Sequence, residues 1–326
     1  MANIKEIARM SGVSVTTVSR VLNHHPYVSS DKRAAVLKTI EQLNYSRNMN
    51  AVHLITGRTK AIAVVLPHIH FFYFSVIMDG LAKEALLAQY RLILCQTNYR
   101  PEEELKVLDM LRNKEIDGVV IVSTALDPAT IEEYTEYGPI VTCQDSGKRS
   151  FSSVYIEHYS AFRHGLQYLV DKGYRNIGYC EGRRNGSSGS IRQSAYKDFF
   201  TERGLAVHSE WMLFDCLTEE DGAAVLHRLL NMKERPDALI ITGDHVAAGL
   251  IIEAGKYNIR IPEDLAIIGF DNQPIGRLLG LTTIDNQLFE MGAAAFRIIL
   301  GQINGDVSTE PVYQKLSYRI IERTTV

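Results

Sequence analysis

The ten residues Ser14–Asn23 (SVTTVSRVLN) place four hydroxyls, Ser14, Thr16, Thr17 and Ser19, and one guanidinium, Arg20, in a single short run. Such groups form either the solvated face of a small helix or a surface that meets a polar, charged partner. Short polar side chains suit phosphate oxygens, which position a protein on a duplex without reading its sequence. A valine or a threonine methyl can touch the thymine methyl, and an arginine can give two hydrogen bonds to guanine O6 and N7. On the second reading Val15, Thr16 and Arg20 face bases, while Ser14, Thr17, Ser19, Asn23 and Tyr45 face phosphates.

The elements around these residues must then present them outward. Ile4, Ile7 and Ala8 share one side of a first helix, and Gly12 permits a sharp turn after it. Ser14 is placed to cap a second helix by accepting an orphan backbone N–H. Within it Val18, Val21 and Leu22 recur at helical spacing and face a core. Ser29, Ser30 and Asp31 open a third helix, in which Val36, Ile40 and Leu43 share a face. Helix, tight turn, helix and a supporting third helix is the helix-turn-helix plan, with the second helix lying in the DNA major groove. The competing reading is a small bundle with a polar face.

Charge favours the nucleic-acid reading. Residues 1–60 hold nine Lys/Arg and three acids, a net +6, whereas the remainder carries −9. A basic head on an acidic body is the footprint of a phosphate-binding module joined to something else. Residues 48–60 (NMNAVHLITGRTK) follow, with Ala51, Val52, Leu54 and Ile55 forming a short apolar helix that Gly57 ends. A helix this short is marginal alone in water, where about 12–15 residues are needed. It serves either as a buried connector or as a segment that folds on DNA, with Leu54 as a wedge between base steps of the minor groove.

The 326 residues are 46% apolar and 22% charged, enough for a sizeable core. No apolar run is long enough for a membrane helix, and MANIKEIARM lacks the apolar segment of a signal peptide. Cys95, Cys143, Cys180 and Cys216 form no CxxC pair and read as buried thiols in a reducing compartment, which points to the cytoplasm.

From Ala61 onward, β-branched apolar runs alternate with amphipathic stretches. The runs are 61–67, 91–96, 117–123, 139–145, 176–182, 237–244 and 264–271; the stretches include 76–89, 102–113, 159–172, 191–203, 219–230, 244–256 and 287–303. This is the pattern of an α/β body, with doubly wound parallel sheets covered by helices on both faces. Its length suits two lobes with a cleft between them. Ligands of open α/β sheets sit outside the carboxyl ends of the strands, which singles out Asp145, Asp244 and Asp271.

Enzymatic signatures are missing: there is no GxGxxG, no GxxxxGK[ST], no HExxH and no GxSxG. The loop EGRRNGSSGS (181–190) either cradles an anion at a helix N-terminus or is simply flexible. His68 and His70 lack nearby acids and read as cleft or surface histidines rather than metal ligands. The aromatic run Phe71–Phe74 divides between core and a stacking wall. No catalytic residue, metal or cofactor is expected.

The stretch NIKEIARMSGVSVTTVSRVLN, the LNYSRN that follows helix three, the region around Leu54, and the body motifs IPEDLAIIGFDN and LTTI together resemble the lactose-repressor (LacI/GalR) family along the whole chain. The nearest flavour is that of catabolite-control-type members from Gram-positive bacteria. The resemblance implies a homodimer whose two heads bind a pseudo-palindromic operator, with paired leucines matching Leu54 at its centre. It implies a body like periplasmic sugar-binding proteins, crossed three times by the chain. The domains are then 1–47 for the head, 48–60 for the hinge and 61–326 for the body. The first lobe is about 61–150 and 286–312, the second about 151–280 and 313–326.

Residue by residue, the resemblance carries an effector role to Arg192, which precedes Ala195 and Tyr196, to Asp271 in Gly269-Phe270-Asp271, to Asp244, to Asn286 after the LTTI motif, and to the aromatic pair Tyr73 and Phe74. Arginine with aspartate suits sugar hydroxyls or a sugar phosphate. The chain departs from the family pattern at Gly243 (usually Asn), Asn286 (usually Gln), Phe71-Phe72 (usually Asn-Pro), Val52 (usually Arg) and Arg47 (usually Pro). The head is regular and the cleft is not. The expected function is a transcriptional repressor gated by a small sugar-like effector. The alternative is control by a phosphorylated carrier protein at the dimer surface. A solute-binding protein fits neither the basic head nor the start of the chain, and no catalytic constellation supports a sugar-processing enzyme.

Overall fold

The computed structural model describes residues 3–45, 57–184, 186–306 and 310–326, and the chain divides into two compact units at Arg58/Thr59. Leu54 and most of the expected hinge lie outside the described residues.

The first unit is built from three helices, α1 (Ile4–Ser11), α2 (Val15–Leu22) and α3 (Ser30–Gln42). Asn3 caps α1 through its side chain, and Gly12 ends it at φ 66°, a left-handed conformation that costs glycine nothing. The Ser14 hydroxyl accepts from Thr17 N–H at 3.2 Å and so starts α2. Ile7, Ala8, Val18, Val21 and Val36 are buried together, with Ile4, Leu22, Ile40, Leu43 and Tyr45 packed around them. The helical periodicity in the sequence is thus spent on a small core of aliphatic side chains.

The second unit has two six-stranded sheets. The first has the order β11-β5-β4-β3-β1-β2, the second β12-β10-β9-β8-β6-β7. The first-sheet strands are β1 (Ala61–Leu66), β2 (Arg91–Gln96), β3 (Gly118–Ile121), β4 (Ile140–Thr142), β5 (Ser152–Tyr155) and β11 (Tyr313–Lys315). The second holds β6 (Ile177–Cys180), β7 (Met212–Leu213), β8 (Ala238–Ile241), β9 (Ala266–Phe270), β10 (Thr282–Asp285) and β12 (Arg319–Ile321). Every pairing is parallel except β10 with β12.

The helices that matter for the cleft are α4 (Phe72–Leu87), α5 (Pro101–Arg112), α7 (His158–Asp171), α8 (Ser187–Thr201), α9 (Glu219–Leu230), α10 (Asp244–Lys256) and α12 (Leu288–Asn304), with short α6 (Pro128–Glu132) and α11 (Pro274–Leu278) between them. Helices α4 and α12 touch backbone to backbone: a Cβ on Gly80 or on Gly292 would lie 2.0 Å from a carbonyl of the other helix.

The alternation expected from sequence is present, but the lobe boundaries shift. Strands β5 and β11 belong to the first sheet, so that lobe runs through Tyr155 and takes back residues to Lys315. The expected crossings at 150 and 312 therefore move to the segments before His158 and Arg319. The reason is composition: β5 is SSVY, whose Ser152 and Ser153 are buried at 0% and 1% exposure without an apolar run to announce them. Strand β2, expected to be buried, is a half-exposed edge.

Candidate functional site

On the three-helix unit, α2 turns Val18 and Val21 inward and leaves Val15, Thr16 and Arg20 exposed. Val15 keeps 41% of its surface, unusual for a valine beside a ready-made core. Ser14 and Asn23 are exposed, and Thr17, Ser19 and Tyr45 are half-buried. The Ser14 hydroxyl lies 3.0 Å from that of Thr17, and Asn23 Nδ2 donates to Ser19 Oγ at 3.4 Å. The proposed base-facing residues therefore share a side of one helix, with hydroxyls at its start.

In the second unit a cavity of about 710 Å³ opens where the carboxyl ends of the two sheets meet. Its lining follows the strand ends in order: His68 after β1, Tyr99 after β2, Ser123 and Thr124 after β3, and Gln144 after β4. From the other lobe come Glu181 and Arg183 after β6, Cys216 after β7, Thr242 and His245 after β8, and Asp271 after β9.

The polar centre is an ion pair. Arg192, on the buried side of α8, donates to Glu181 Oε1 at 3.1 Å, and the two side chains are only 10% and 6% exposed. Glu181 also accepts from Thr242 Oγ1 at 3.1 Å, and the second guanidinium nitrogen of Arg192 lies 3.2 Å from His158 Nδ1. A guanidinium only donates, so that imidazole nitrogen accepts and is unprotonated. Burial, reinforced by Arg192, pushes His158 well below the usual histidine range. Arg192 Nε is buried without a partner among the described residues, and the guanidinium lies over the Phe270 ring at 4.9 Å. Asp271 stands at φ 98° and accepts from Asn286 Nδ2 at 2.8 Å and Gln273 Nε2 at 3.3 Å. Burial raises its pKa, against the pull of Arg192.

The first lobe supplies an aromatic wall. His68 meets Phe71 and Tyr99 edge-on at 5.4 and 6.0 Å, and Tyr99 Oη lies 3.0 Å from Ser123 Oγ. Tyr73 and Phe74 line the cavity, and burial raises the Tyr73 hydroxyl well above the ordinary tyrosine pKa. Glu104, buried in the first turn of α5, accepts from Thr97, Thr124 and the backbone N–H groups of Ala125 and Leu126, and so fixes the 123–126 loop at the cavity. Contacts that bridge the lobes include the Arg183 guanidinium 3.5 Å over the Tyr99 ring, the Phe71 and His245 rings 6.2 Å apart, and Gln144 Nε2 donating to Ser187 Oγ at 3.3 Å.

Four of the seven sequence-selected cleft residues, Tyr73, Phe74, Arg192 and Asp271, line this cavity; three do not. Asp145 is exposed beside it, turned onto its own loop, where it accepts from Gly147 N–H at 3.0 Å; its neighbour Gln144 points in. Asp244 is fully buried beneath the site. It accepts from Gln273 N–H at 2.6 Å and Thr283 Oγ1 at 2.7 Å, and burial raises its pKa. Asn286 is 1% exposed and acts by holding Asp271. Sequence reasoning missed Glu181, His158, Gln144 and Tyr99 altogether. The signal for Glu181 was its place at the end of a strand and the head of the Gly-rich loop. Among the described residues, no group of His, Cys, Asp and Glu is arranged to hold a metal, and no helix is long and apolar enough to cross a membrane.

Comparison with known proteins settles the family. Residues 3–48 match the model of the bacterial regulatory proteins of the lacI family, and residues 166–326 match the periplasmic binding protein-like domain. The chain is 43% identical to the HTH-type transcriptional regulator YkvZ of Bacillus subtilis over the full length of both chains. This chain belongs to the LacI family. It is also 37% identical to catabolite control protein B of Bacillus subtilis, over 97% of this chain and 99% of that one.

Among solved structures, the lac repressor dimer bound to operator and the anti-inducer ONPF shares the fold, with a TM-score of 0.85 over 99% and 98% of the chains at 20% identity. A LacI family regulator from Lactobacillus casei with bound glucose aligns at 26% identity and a TM-score of 0.75, over 82% of this chain and 99% of that one. As a LacI-family member the chain is a DNA-binding transcriptional regulator, and the relatives it matches are regulators rather than enzymes.

Proposed function

We propose that this regulator is a homodimeric repressor of carbohydrate-metabolism genes in the cytoplasm, with operator affinity set by a sugar-like ligand held between its lobes. The observation that carries the reading is the cavity itself. A guanidinium pinned by Glu181 and a carboxylate pinned by Asn286 face it, beside a wall of aromatic rings. Polar groups held in fixed directions against aromatic faces suit a ring rich in hydroxyls, and the volume lies in the range of small-molecule sites. The Lactobacillus casei relative, with bound glucose, supports that class of ligand.

Because the lining comes from both lobes, a ligand favours one lobe arrangement, and the populations shift by its differential affinity. Exposed leucines on both lobes, Leu86 and Leu87 on α4 and Leu278 on α11, at 79%, 73% and 78% exposure, suit burial against a second copy. In the dimer, Val15, Thr16 and Arg20 of each head read one half-site of a pseudo-palindrome. Ser14, Thr17, Ser19, Asn23 and Tyr45 hold its phosphates, and Leu54 wedges its centre.

The test is selection of genomic fragments by the purified chain at fixed salt, footprinting of the survivors, and titration of the complex with glucose, sucrose, cellobiose, sugar phosphates and a phosphorylated carrier protein. A protected palindrome whose occupancy responds to one sugar supports the reading. A response to the phosphorylated carrier alone replaces the cleft ligand with protein control. Binding blind to sequence would refute the assignment of α2.

A further inference from the structure

Two of the four cysteines, 36 positions apart in sequence, meet at the wall of the cleft. Cys180 ends β6, where it pairs with Leu213 of β7. Beyond that pair the strands stay in step for one more bond, Glu181 N–H to Leu213 O at 2.8 Å, and then the second strand gains a residue. Asp215 takes φ 62°, and it is Cys216 whose N–H returns to the Glu181 carbonyl, at 3.2 Å. One extra residue flips the side chains that follow to the other face. Cys216 is therefore on the Cys180 side of the ribbon, where both side chains pack in one buried cluster with Leu213, and the Cys216 thiol donates to the Phe214 carbonyl at 3.6 Å. Cys180 is closed off at 1% exposure, whereas Cys216 lines the cavity.

We propose that Cys180 and Cys216 form a peroxide-sensitive thiol pair that closes to an intrachain disulfide and thereby alters the ligand cleft. Cys216 is the attacking group, because it alone of the two borders the cavity. The neighbouring Cys180 thiol, with help from Arg228, lowers the Cys216 thiol against its own burial. The Cys216 thiolate attacks one oxygen of a peroxide. The O–O bond breaks, hydroxide or alkoxide leaves, and the sulfur becomes a sulfenic acid as the peroxide takes up two electrons. The Cys180 sulfur then attacks the sulfenic sulfur, the S–S bond forms, the S–O bond breaks, and hydroxide leaves with the Cys180 proton as water.

The pair brackets Glu181, the anchor of Arg192. It also precedes Leu217, whose carbonyl lies 2.9 Å from His245 Nε2 and whose side chain packs on Gly182. Drawing Cys216 toward Cys180 moves both supports of the second-lobe wall. The inference concerns the wall itself and stands whether or not the cleft holds a sugar.

The experiment is stoichiometric hydrogen peroxide on the full chain, read by intact mass and peptide mapping. The expected product is about 2 Da lighter, with the Cys180 and Cys216 peptides joined, and a thiol reductant restores it. Half-buried Cys95 and buried Cys143 serve as internal controls on the same sample. In Cys180→Ser the reaction stops at Cys216, which gains about 16 Da and captures a sulfenic-acid probe; Cys216→Ser leaves Cys180 unmodified. The single tryptophan, Trp211, directly precedes β7, so its emission reports movement of this strand: it changes on oxidation, returns on reduction, and stays constant in both variants. Oxidation confined to Cys95, or Cys180 and Cys216 peptides recovered unjoined, overturns the pair. A disulfide that leaves the emission of Trp211 unchanged overturns its action on the wall. The mapping of the unsubstituted chain decides the first point even if a variant fails to fold.

Discussion

Replacing Glu181 with glutamine tests the reading of the cleft as a preassembled polar site. The carboxylate and the Arg192 guanidinium are 6% and 10% exposed, so water screens their attraction little. Removing one partner of a buried pair leaves the other charge uncompensated, at a cost of about 3–5 kcal/mol. Glutamine retains one acceptor oxygen for Arg192, which places Glu181→Gln near the lower end, about 3 kcal/mol. Leucine retains none and belongs near 5 kcal/mol. For a body of this size about 3 kcal/mol corresponds to a fall in melting temperature of about 5 °C. Urea and thermal unfolding of the full chain followed by circular dichroism would measure it. The double replacement Glu181→Leu with Arg192→Met removes both charges, and most of the loss should return, because the desolvation penalty disappears with the pair. Equal stability of the parent and both single variants, or a double variant less stable than either, would refute the claim that the pair is a coupled buried unit.

Three further outcomes follow from the geometry. His158 is neutral in the folded chain because burial pushes its pKa well below 6.5, so the unfolded chain binds the proton first as pH falls. Stability is fully present above pH 6.5 and is lost as pH drops toward the folded pKa, by at most about 1.4 kcal/mol per pH unit; His158→Asn should flatten that loss in urea midpoints taken at pH 7.5, 6.5 and 5.5. Arg20→Ala should cost about 1–3 kcal/mol at its cognate base and relax sequence preference there; an equal loss on all sequences would make Arg20 a phosphate contact instead. Ser14→Ala removes the cap of α2 and should lower the stability of the three-helix unit by about 1 kcal/mol, with exchange of the Thr17 amide as the local readout.

The parts legible in sequence were those written in a repeating pattern or a local rule. Val18 and Val21 at helical spacing, Ser14 as a cap and the β-branched runs of β1, β8 and β9 each carry their structure within a few residues. The cleft is assembled from strand ends far apart in the chain, and there local rules fail. Asp145 and Gln144 are adjacent, and only the course of the loop after β4 decides which of them faces the cavity. Asp244 stands at a strand end like a cleft residue, but Thr283 and the Gln273 backbone draw its carboxylate under the site. Glu181 was hidden because its partner lies 11 positions away on the next helix. Strands β5 and β11 were missed because buried serines and a three-residue edge leave no apolar run.

The late return of the chain to the first lobe sets an order of assembly. Helix α12, which packs against Gly80 of α4, and strand β11, which covers the open edge of β5, are made only after the parallel strands of the second lobe. A chain emerging from the ribosome can therefore complete its second parallel layer while the first still shows an unpaired strand edge and a bare helix groove. Such an edge is a template for pairing between chains. Nascent chains stopped before Leu288 should need a chaperone, although most of their residues already lie in a finished sheet or its helices.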